Sequence, residues 1–351
     1  MNQKSIDLTK ADCEQVTSGN KHSILSSLKG QHVLITGGTG FLGTWITELI
    51  TFLNEKYDYK IRLTLLARDT KIFSAKAPHL ANKSFLNLIS QDIRTLIDLP
   101  ADVNYVVHAA SNPDSREHNL NPLVVMDGIT NGTANVFEKC TRLNNLQKIV
   151  NLSSGLVYGA QPRELKSIPE TYFGSLDCSQ VTSIYAESKR LSETIGTAYR
   201  IQYRLPLVTV RPFTFTGPYQ SLEKPWAINN FIRDAILGEP IRILGSGETE
   251  RSYMYGSDAA FWILNMLANG RVGGCYNLGS PNAIALKDLA GKIAKEFSPS
   301  PQIVSRSGKE SDAQVSRFIP DTSLAQKTLH AEITVDIDSA IRRTIQWNKN
   351  F

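Results

Sequence analysis

The sequence predicts an α/β fold in which a doubly wound parallel sheet is joined by a smaller C-terminal lobe. Three features of the chain lead to this prediction. Short, almost continuous apolar runs alternate with segments of helical periodicity, a glycine-rich turn follows the first run, and the alternation stops after Arg211. Apolar strands that alternate with helices are typical of a parallel sheet covered on both faces.

The chain begins with a polar stretch, residues 1–30, that precedes the regular pattern. It contains one weakly amphipathic segment, Ser23–Leu28. We expect an N-terminal extension that either packs on the main domain or frays. Because this stretch lacks the apolar core of a secretory signal peptide, the sequence predicts a cytoplasmic protein.

The regular pattern starts at His32. Strands are predicted at His32–Thr36, Ile61–Ala67, Phe85–Ile89, Tyr105–His108, Lys148–Ser153 and Leu207–Arg211. Helices are predicted at Phe41–Asn54, Pro122–Leu143 and Ser183–Tyr203. The runs between the helices are too short and too uniformly apolar to be amphipathic helices themselves, so we interpret them as buried strands.

Beyond Arg211 the chain is interrupted repeatedly by proline and glycine, which predicts loops and short elements. We therefore divide the chain into an N-terminal extension (1–30), a sheet domain (31–211) and a region that is mainly the C-terminal lobe (212–351). A return of the chain to the sheet within the last region is left open. Such a lobe would cover the carboxyl ends of the strands, where open α/β sheets bind ligands.

Composition excludes several classes of protein. A hydrophobic content of 41% and a charged content of 20% are ordinary for a globular protein. The net charge of +5 is spread along the chain, which suits a small anionic ligand but argues against a nucleic-acid partner. The 4 cysteines and 6 histidines show no disulfide or metal-ligand spacing, so no metal is expected. No apolar stretch reaches the ~18 residues that span a bilayer, so no membrane association is expected.

A glycine-rich turn with the sequence TGGTGFLG joins the first predicted strand to the first long helix. Gly37 would allow the sharp turn, Gly40 would let a pyrophosphate approach the backbone, and Gly43 would let strand and helix pack closely. The start of the helix then offers free N–H groups and the positive end of its dipole. In this context the motif predicts a dinucleotide site.

A second motif, YxxxK, is formed by Tyr185 and Lys189. Residues four apart share one face of a helix, so the phenol and the ammonium group can point into one site. A free phenol titrates near ~10, but a neighbouring cation lowers its pKa and makes proton exchange with a hydroxyl or keto group feasible. Alone, the motif is usually an exposed pair, and its weight here comes from its position after the glycine turn.

Together with the segment SSGLVYG at 153–159, these motifs resemble the extended short-chain dehydrogenases/reductases, and specifically the NAD(P)-dependent nucleotide-sugar epimerase/dehydratase family. The resemblance covers roughly residues 30–345. It implies a Rossmann-type sheet, catalysis by Ser154, Tyr185 and Lys189, and a homodimer. Ser154 would hydrogen-bond the reacting oxygen, and Tyr185 would act as the acid/base.

The resemblance also implies which residues contact the cofactor. These are Gly37, Gly40, Phe41, Leu42, Gly43, Arg68, Asp92, Ile93, Ala109, Ala110, Tyr185, Lys189 and Phe213. At the end of the second strand an acidic residue would bind the ribose of NAD, whereas an arginine accommodates the 2′-phosphate of NADP. The chain has Ala67, Arg68 and Asp69 there. This favours NADP(H), and NAD(H) stays open because Asp69 could take the role of the acid.

The same resemblance names a nucleoside-diphosphate sugar as the substrate. The substrate-binding residues it implies are Ser154, Tyr185, Asn230, Phe231 and Arg251. By this analogy the guanidinium group of Arg251 grips the diphosphate.

Two positions narrow the expected reaction. Relatives that are 4,6-dehydratases carry an Asp-Glu pair where this chain has Gly155 and Leu156, and decarboxylases keep the glutamate. We therefore expect hydride transfer at C4 of the sugar, by a 4-epimerase or a 4-ketoreductase. The alternatives are a 4,6-dehydratase or decarboxylase, a reductase of non-sugar carbonyls, and a non-catalytic cofactor-binding regulator. Intact Ser154, Tyr185 and Lys189 argue against the regulator.

Overall fold

Residues 2–305 and 316–349 are described by the structure, which is a computed structural model. The strands are β1 His32–Thr36, β2 Arg62–Ala67, β3 Leu86–Ser90, β4 Tyr105–His108, β5 Lys148–Leu152, β6 Leu207–Pro212, β7 Phe215–Thr216, β8 Ile241–Ile243, β9 Glu250–Arg251, β10 Met254–Tyr255, β11 Cys275–Leu278, β12 Ile284–Ala285, β13 Ile303–Ser305 and β14 Arg317–Phe318. The helices are α1 Gln3–Thr17, α2 Phe41–Tyr57, α3 Lys71–Lys76, α4 Pro78–Ala81, α5 Ser115–Leu120, α6 Pro122–Cys140, α7 Ser183–Tyr203, α8 Ala227–Ile236, α9 Gly256–Asn269, α10 Leu286–Ala294, α11 Ser323–Leu329 and α12 Ile337–Lys349. Short 3₁₀ helices cover Lys21–Leu28, Ile93–Thr95 and Gly155–Tyr158.

The central sheet has 7 strands in the order β11-β6-β5-β4-β1-β2-β3. Every neighbouring pair in it is parallel. The six predicted strands all form, so the α/β prediction with a Rossmann-type parallel sheet is confirmed. The seventh strand, β11, comes from the C-terminal region and pairs with β6, with Cys275 opposite Thr209. The chain therefore does return to the sheet.

Helices cover both faces of this sheet. On one face, α2 and α9 pack against the strands in a large apolar core that includes Trp45, Leu49 and Trp262. On the other face, α6 and α7 close a second core around Val136, Phe137 and Leu207. Because both faces are covered, the strands are apolar on both sides, as a buried parallel sheet requires.

The N-terminal extension packs on the main domain. Its helix α1 contacts α2, α9 and α12, and its buried face carries Ser5, Thr9 and Asp12. The Thr9 hydroxyl donates to the Glu48 carboxylate at 3.1 Å. The Asp12 carboxylate accepts hydrogen bonds from the Tyr255 hydroxyl at 2.8 Å and from Arg343 at 2.5 Å. Polar side chains, each with a partner, thus hold α1 in place.

The C-terminal lobe has a core of its own. Residues from α8, α10 and α12 pack against β8 there, among them Ile232, Leu289 and Ile341. The lobe adds small two- and three-stranded sheets formed by β7–β10 and β12–β14. In the described ranges, none of the helices combines the length and the apolar character needed to cross a membrane.

Candidate active site

The glycine turn after β1 has the backbone that its sequence predicts. Gly37 has a φ of +67°, and a Cβ atom there would lie 2.7 Å from the Cα atom of Ala110. A Cβ atom at Gly43 would lie 2.2 Å from the Gly38 carbonyl oxygen. Gly40 occupies the N-cap position of α2 without a side-chain capping bond. The N–H groups in the first turn of α2 are thus left for a ligand, which is the arrangement that binds phosphate at helix N-termini.

A cavity of about 810 Å³ opens in front of this turn. The predicted cofactor residues that line it are Gly37, Gly40, Phe41, Arg68, Asp92, Ile93 and Ala110. The other predicted cofactor residues are absent from the described lining, namely Leu42, Gly43, Ala109, Tyr185, Lys189 and Phe213. The cavity also includes Ser111, Tyr219 and Lys224, which come from later segments. Its volume and its phosphate-binding turn fit a dinucleotide.

The end of β2 brings Arg68 and Asp69 to the edge of the cavity. Arg68 is exposed there. The carboxylate of Asp69 accepts a hydrogen bond from the backbone N–H of Lys71 at 2.8 Å, at the start of α3. One oxygen of Asp69 thus closes a turn before α3, and Arg68 is the cation that this edge offers to a ligand.

Asp92, at the end of the third strand, forms part of an ion-pair network. Its carboxylate lies 2.7 Å from an Nη atom of Arg94, which also contacts Asp127 at 2.9 Å. The hydrogen bond from Arg94 holds the pKa of Asp92 below its usual value. Asp92 thus presents a firmly charged carboxylate at the wall of the cavity.

The three predicted catalytic residues lie together beside the cavity. Tyr185 and Lys189 lie one turn apart on α7 and are 5% and 4% exposed. Burial raises the pKa of Tyr185. Hydrogen bonds from the Ser111 and Ser154 side chains partly lower it again. The Lys189 ammonium donates to the Leu152 carbonyl oxygen at 2.8 Å and lies 5.9 Å from the centroid of the Tyr185 ring. Burial lowers the pKa of Lys189 to about 7.

Two residues beside Tyr185 were not predicted from the sequence. Ser111 lines the cavity and shares the hydroxyl of Tyr185 with Ser154. His118, on α5, stacks on the Tyr185 ring with centroids 4.3 Å apart and planes inclined by 9°. Its Nε2 atom lies 2.8 Å from the Asn112 carbonyl oxygen, which fixes the imidazole. The position of Ser111 directly after Ala109 and Ala110 could have suggested it, whereas no local pattern marks His118.

Gly155 and Leu156 occupy the positions of the Asp-Glu pair of 4,6-dehydratases, and they differ in the space available for a side chain. A Cβ atom at Gly155 would lie 2.9 Å from ring atoms of both Phe213 and Phe318. These two rings are in contact, with centroids 4.6 Å apart. Leu156, by contrast, is 45% exposed. The predicted cofactor residue Phe213 therefore covers Gly155 and leaves no space for a carboxylate there.

The predicted substrate residues of the C-terminal lobe lie apart from the cavity's described lining. Phe231 is 2% exposed and belongs to the core of the lobe, while its neighbour Asn230 is partly buried. Arg251 donates to the Ser316 carbonyl oxygen at 3.1 Å and to the Glu250 carbonyl oxygen at 2.8 Å. Burial lowers the pKa of Arg251.

Comparisons with known proteins agree with this arrangement. A family model described as the NAD dependent epimerase/dehydratase family matches residues 33–279. UDP-glucuronic acid decarboxylase 1 of Xenopus tropicalis is 26% identical over 323 residues, which are 92% of this chain and 73% of that protein.

Two solved structures share the fold over nearly the whole chain. The UDP-N-acetylglucosamine 4-epimerase of Methanobrevibacter ruminantium M1, in complex with UDP-N-acetylmuramic acid, superposes with a TM-score of 0.75 at 23% identity, covering 92% of this chain and 99% of that one. The UDP-glucuronic acid 4-epimerase of Bacillus cereus, in complex with NAD, superposes with a TM-score of 0.76 at 20% identity, covering 91% and 97%.

Proposed function

Since the chain belongs to the NAD dependent epimerase/dehydratase family, we propose that it modifies C4 of a nucleoside-diphosphate sugar with a nicotinamide cofactor, as a 4-epimerase or a 4-ketoreductase. Membership of the family confirms the predicted family and the prediction of an enzyme. The observation that carries the proposal is the cluster of Ser154, Tyr185 and Lys189 beside the cavity of the glycine turn.

The cofactor would be held by the glycine turn, the first turn of α2, Arg68 and the wall around Asp92. When bound, a nicotinamide supplies a hydride acceptor or donor. Tyr185 exchanges a proton with the oxygen on C4, and Ser154 hydrogen-bonds the same oxygen. Lys189, whose ammonium group lies 5.9 Å from the centroid of the Tyr185 ring, would stabilise a phenolate electrostatically.

Packing at residue 155 supports hydride transfer over dehydration. Elimination of water needs an acid and a base near the leaving hydroxyl. Gly155 has no room for a side chain, and Leu156 cannot exchange protons. Nearby, Glu193 is engaged by Arg211 at 2.7 Å and by Ser153 at 2.5 Å. A carboxylate acid–base pair in the dehydratase slots is therefore missing from the described site.

Decarboxylation is the second candidate, because similar proteins include a UDP-glucuronic acid decarboxylase. Oxidation at C4 of a sugar acid would produce a β-keto acid, which can lose CO₂. Leu156 stands where the decarboxylases keep a glutamate, and for this reason the candidate comes second. This candidate uses the same Tyr185 and Lys189, so the substrate decides between the two.

The test is a panel of UDP-, dTDP-, CDP- and GDP-sugars, their uronic acids and their 4-keto forms. Products are followed by NMR, cofactor oxidation by absorbance, and CO₂ by a coupled assay. Interconversion without net cofactor consumption identifies an epimerase, and stoichiometric NAD(P)H oxidation identifies a reductase. Release of CO₂ from a uronic acid would identify the second candidate. Absence of any turnover, with a folded protein that binds cofactor, would reject the proposal.

For the cofactor we propose NADP(H), supported by the exposed Arg68 at the cavity edge and by the turn hydrogen bond that engages the Asp69 carboxylate. Arg68→Ala should weaken NADPH binding much more than NADH binding. The exposed Arg163, outside the described lining of the cavity, provides the control variant Arg163→Ala. Equal losses for both cofactors would contradict the 2′-phosphate role of Arg68.

A further inference from the structure

Lys76, the last residue of α3, lines the cavity of the glycine turn. We propose that its ammonium group binds the diphosphate of the dinucleotide in this cavity. This inference rests on the proposed function, since it assumes that the cavity holds a nicotinamide dinucleotide.

The position of the Lys76 ammonium is fixed by Tyr219. It donates to the Tyr219 carbonyl oxygen at 2.7 Å and lies 5.5 Å from the centroid of the Tyr219 ring. Tyr219 is itself held by contacts with α2, because its hydroxyl donates to Glu48 and its ring centroid lies 5.9 Å from that of Trp45. Its φ of +72° turns the loop at this point. Lys76 is therefore anchored on the α2 side of the cavity.

Of the four cations that line the cavity, Arg68 and Lys76 have no carboxylate partner among the described residues, and only Lys76 of these two is partly buried. Arg94 is paired with Asp92 and Asp127. Lys224 is paired with Asp114. Within the described ranges no carboxylate oxygen lies within 4.0 Å of the Lys76 ammonium, although this group is largely withdrawn from water.

A half-buried cation without a counterion is unfavourable, and an anion in the cavity would relieve this cost. Burial lowers the pKa of Lys76 to about 8, so the group is mostly charged near neutral pH. An anion that binds beside it would raise this pKa again. The pocket is thus arranged for a negative ligand group at this place.

The diphosphate is the part of the cofactor that can bind both the first turn of α2 and the Lys76 ammonium group. Phosphates bind at glycine turns and helix N-termini, and the first turn of α2 has no side-chain cap. Lys76 is tied through Tyr219 to Trp45 and Glu48 on the same helix. Arg68, at the end of β2, is left for the 2′-phosphate. The two cations therefore serve different phosphates.

The experiment compares Lys76→Gln with Lys71→Gln in the full chain, by calorimetric titration with NADH, NADPH and adenosine. Lys71 begins the same helix and is exposed. We expect Lys76→Gln to weaken NADH and NADPH by a similar factor, about tenfold, which is typical of a lost charge-assisted hydrogen bond. Adenosine binding and the Lys71→Gln variant should be unchanged. Unchanged affinity in Lys76→Gln, or a loss confined to NADPH, would overturn the proposal.

Lys76→Arg provides a second measurement that does not depend on the stability of the glutamine variant. NADH affinity of the wild-type protein should fall as the pH rises through the pKa of Lys76, while that of Lys76→Arg should not. The titratable groups around Lys76 include Tyr219, Glu48 and His79. The Tyr219 hydroxyl donates to Glu48, and the Nε2 atom of His79 lies 2.9 Å from a Glu48 oxygen. Both proteins share them, so the difference reports residue 76. Parallel pH profiles would contradict the proposal.

The two proposals fail in different ways. If the wild-type protein binds neither dinucleotide, the proposed function itself is rejected. If the wild-type protein binds them and both Lys76 measurements show no effect, only the role of Lys76 is rejected.

Discussion

Substitution of Gly155 by alanine tests whether the packing of Phe213 and Phe318 excludes a side chain at the first position of the dehydratase Asp-Glu pair. The added methyl group would lie 2.9 Å from Phe213 Cε2 and from Phe318 Cζ, closer than carbon atoms approach each other. The rings cannot simply separate, because Phe213 also lies against Tyr158, with centroids 6.2 Å apart. Overpacking of this kind costs about 1–3 kcal/mol of unfolding free energy. In a protein of this size that corresponds to a fall in melting temperature of roughly 1–4 °C.

The assay is thermal and urea unfolding followed by circular dichroism, with two control variants. Gly291→Ala lies inside α10, where nothing occupies the space of the new methyl group, so it should stabilise the protein by about 0.5–1 kcal/mol. Leu156→Glu places a carboxylate in the exposed second slot and should change stability by less than about 0.5 kcal/mol. If Gly155→Ala unfolds at the same temperature as the wild-type protein, the rings can move apart and the steric explanation is wrong.

Three further outcomes are expected. Tyr185→Phe should lower turnover by about 10²–10⁴-fold while cofactor affinity, measured by titration, stays the same; comparable turnover would remove Tyr185 from the acid/base role. Burial lowers the pKa of His108 to about 3, so protons bind the unfolded chain preferentially and stability falls as the pH drops below about 6.5. Between pH 7 and pH 5, urea unfolding of the wild-type protein should therefore lose about 2 kcal/mol more than that of His108→Gln, and equal losses would count against this pKa. Burial raises the pKa of Asp12 to about 7, so this carboxyl group can take up a proton when its cation is removed. Arg343→Met should therefore destabilise the protein by about 1–3 kcal/mol through the lost charged hydrogen bond, and Asp12→Asn added to it should restore part of the loss; a single variant with wild-type stability would contradict the pairing.

Much of the sheet could be predicted because its strands are determined locally. Val33, Leu63 and Val106 lie in apolar runs whose length and flanking turns distinguish strands from helices. The helix that carries Tyr185 and Lys189 was predicted at its observed bounds for the same reason. The glycine turn was readable because its spacing corresponds to steric needs at Gly37 and Gly43.

The features that could not be predicted from the sequence depend on contacts between segments that are distant along the chain. Helix α1 was not predicted as a helix, because its buried face is mostly polar, with Cys13 and Val16 as its buried apolar residues. The stacking of His118 on Tyr185 joins residues from different helices, and nothing around His118 in the sequence indicates it. The same holds for Lys76, whose ammonium group is positioned by the Tyr219 carbonyl group, 143 residues further along the chain.

The contacts of α1 have a consequence for the order in which the chain assembles. Asp12 meets Arg343 across a separation of 331 residues, and Gln15 meets Thr334 across 319. During synthesis α1 leaves the ribosome long before these partners do. Apart from Cys13 and Val16 the buried residues of α1 are polar, so the helix exposes little apolar surface to aggregation before it docks. We expect α1 to dock in the final stage of folding and, in hydrogen exchange, to open before the sheet does.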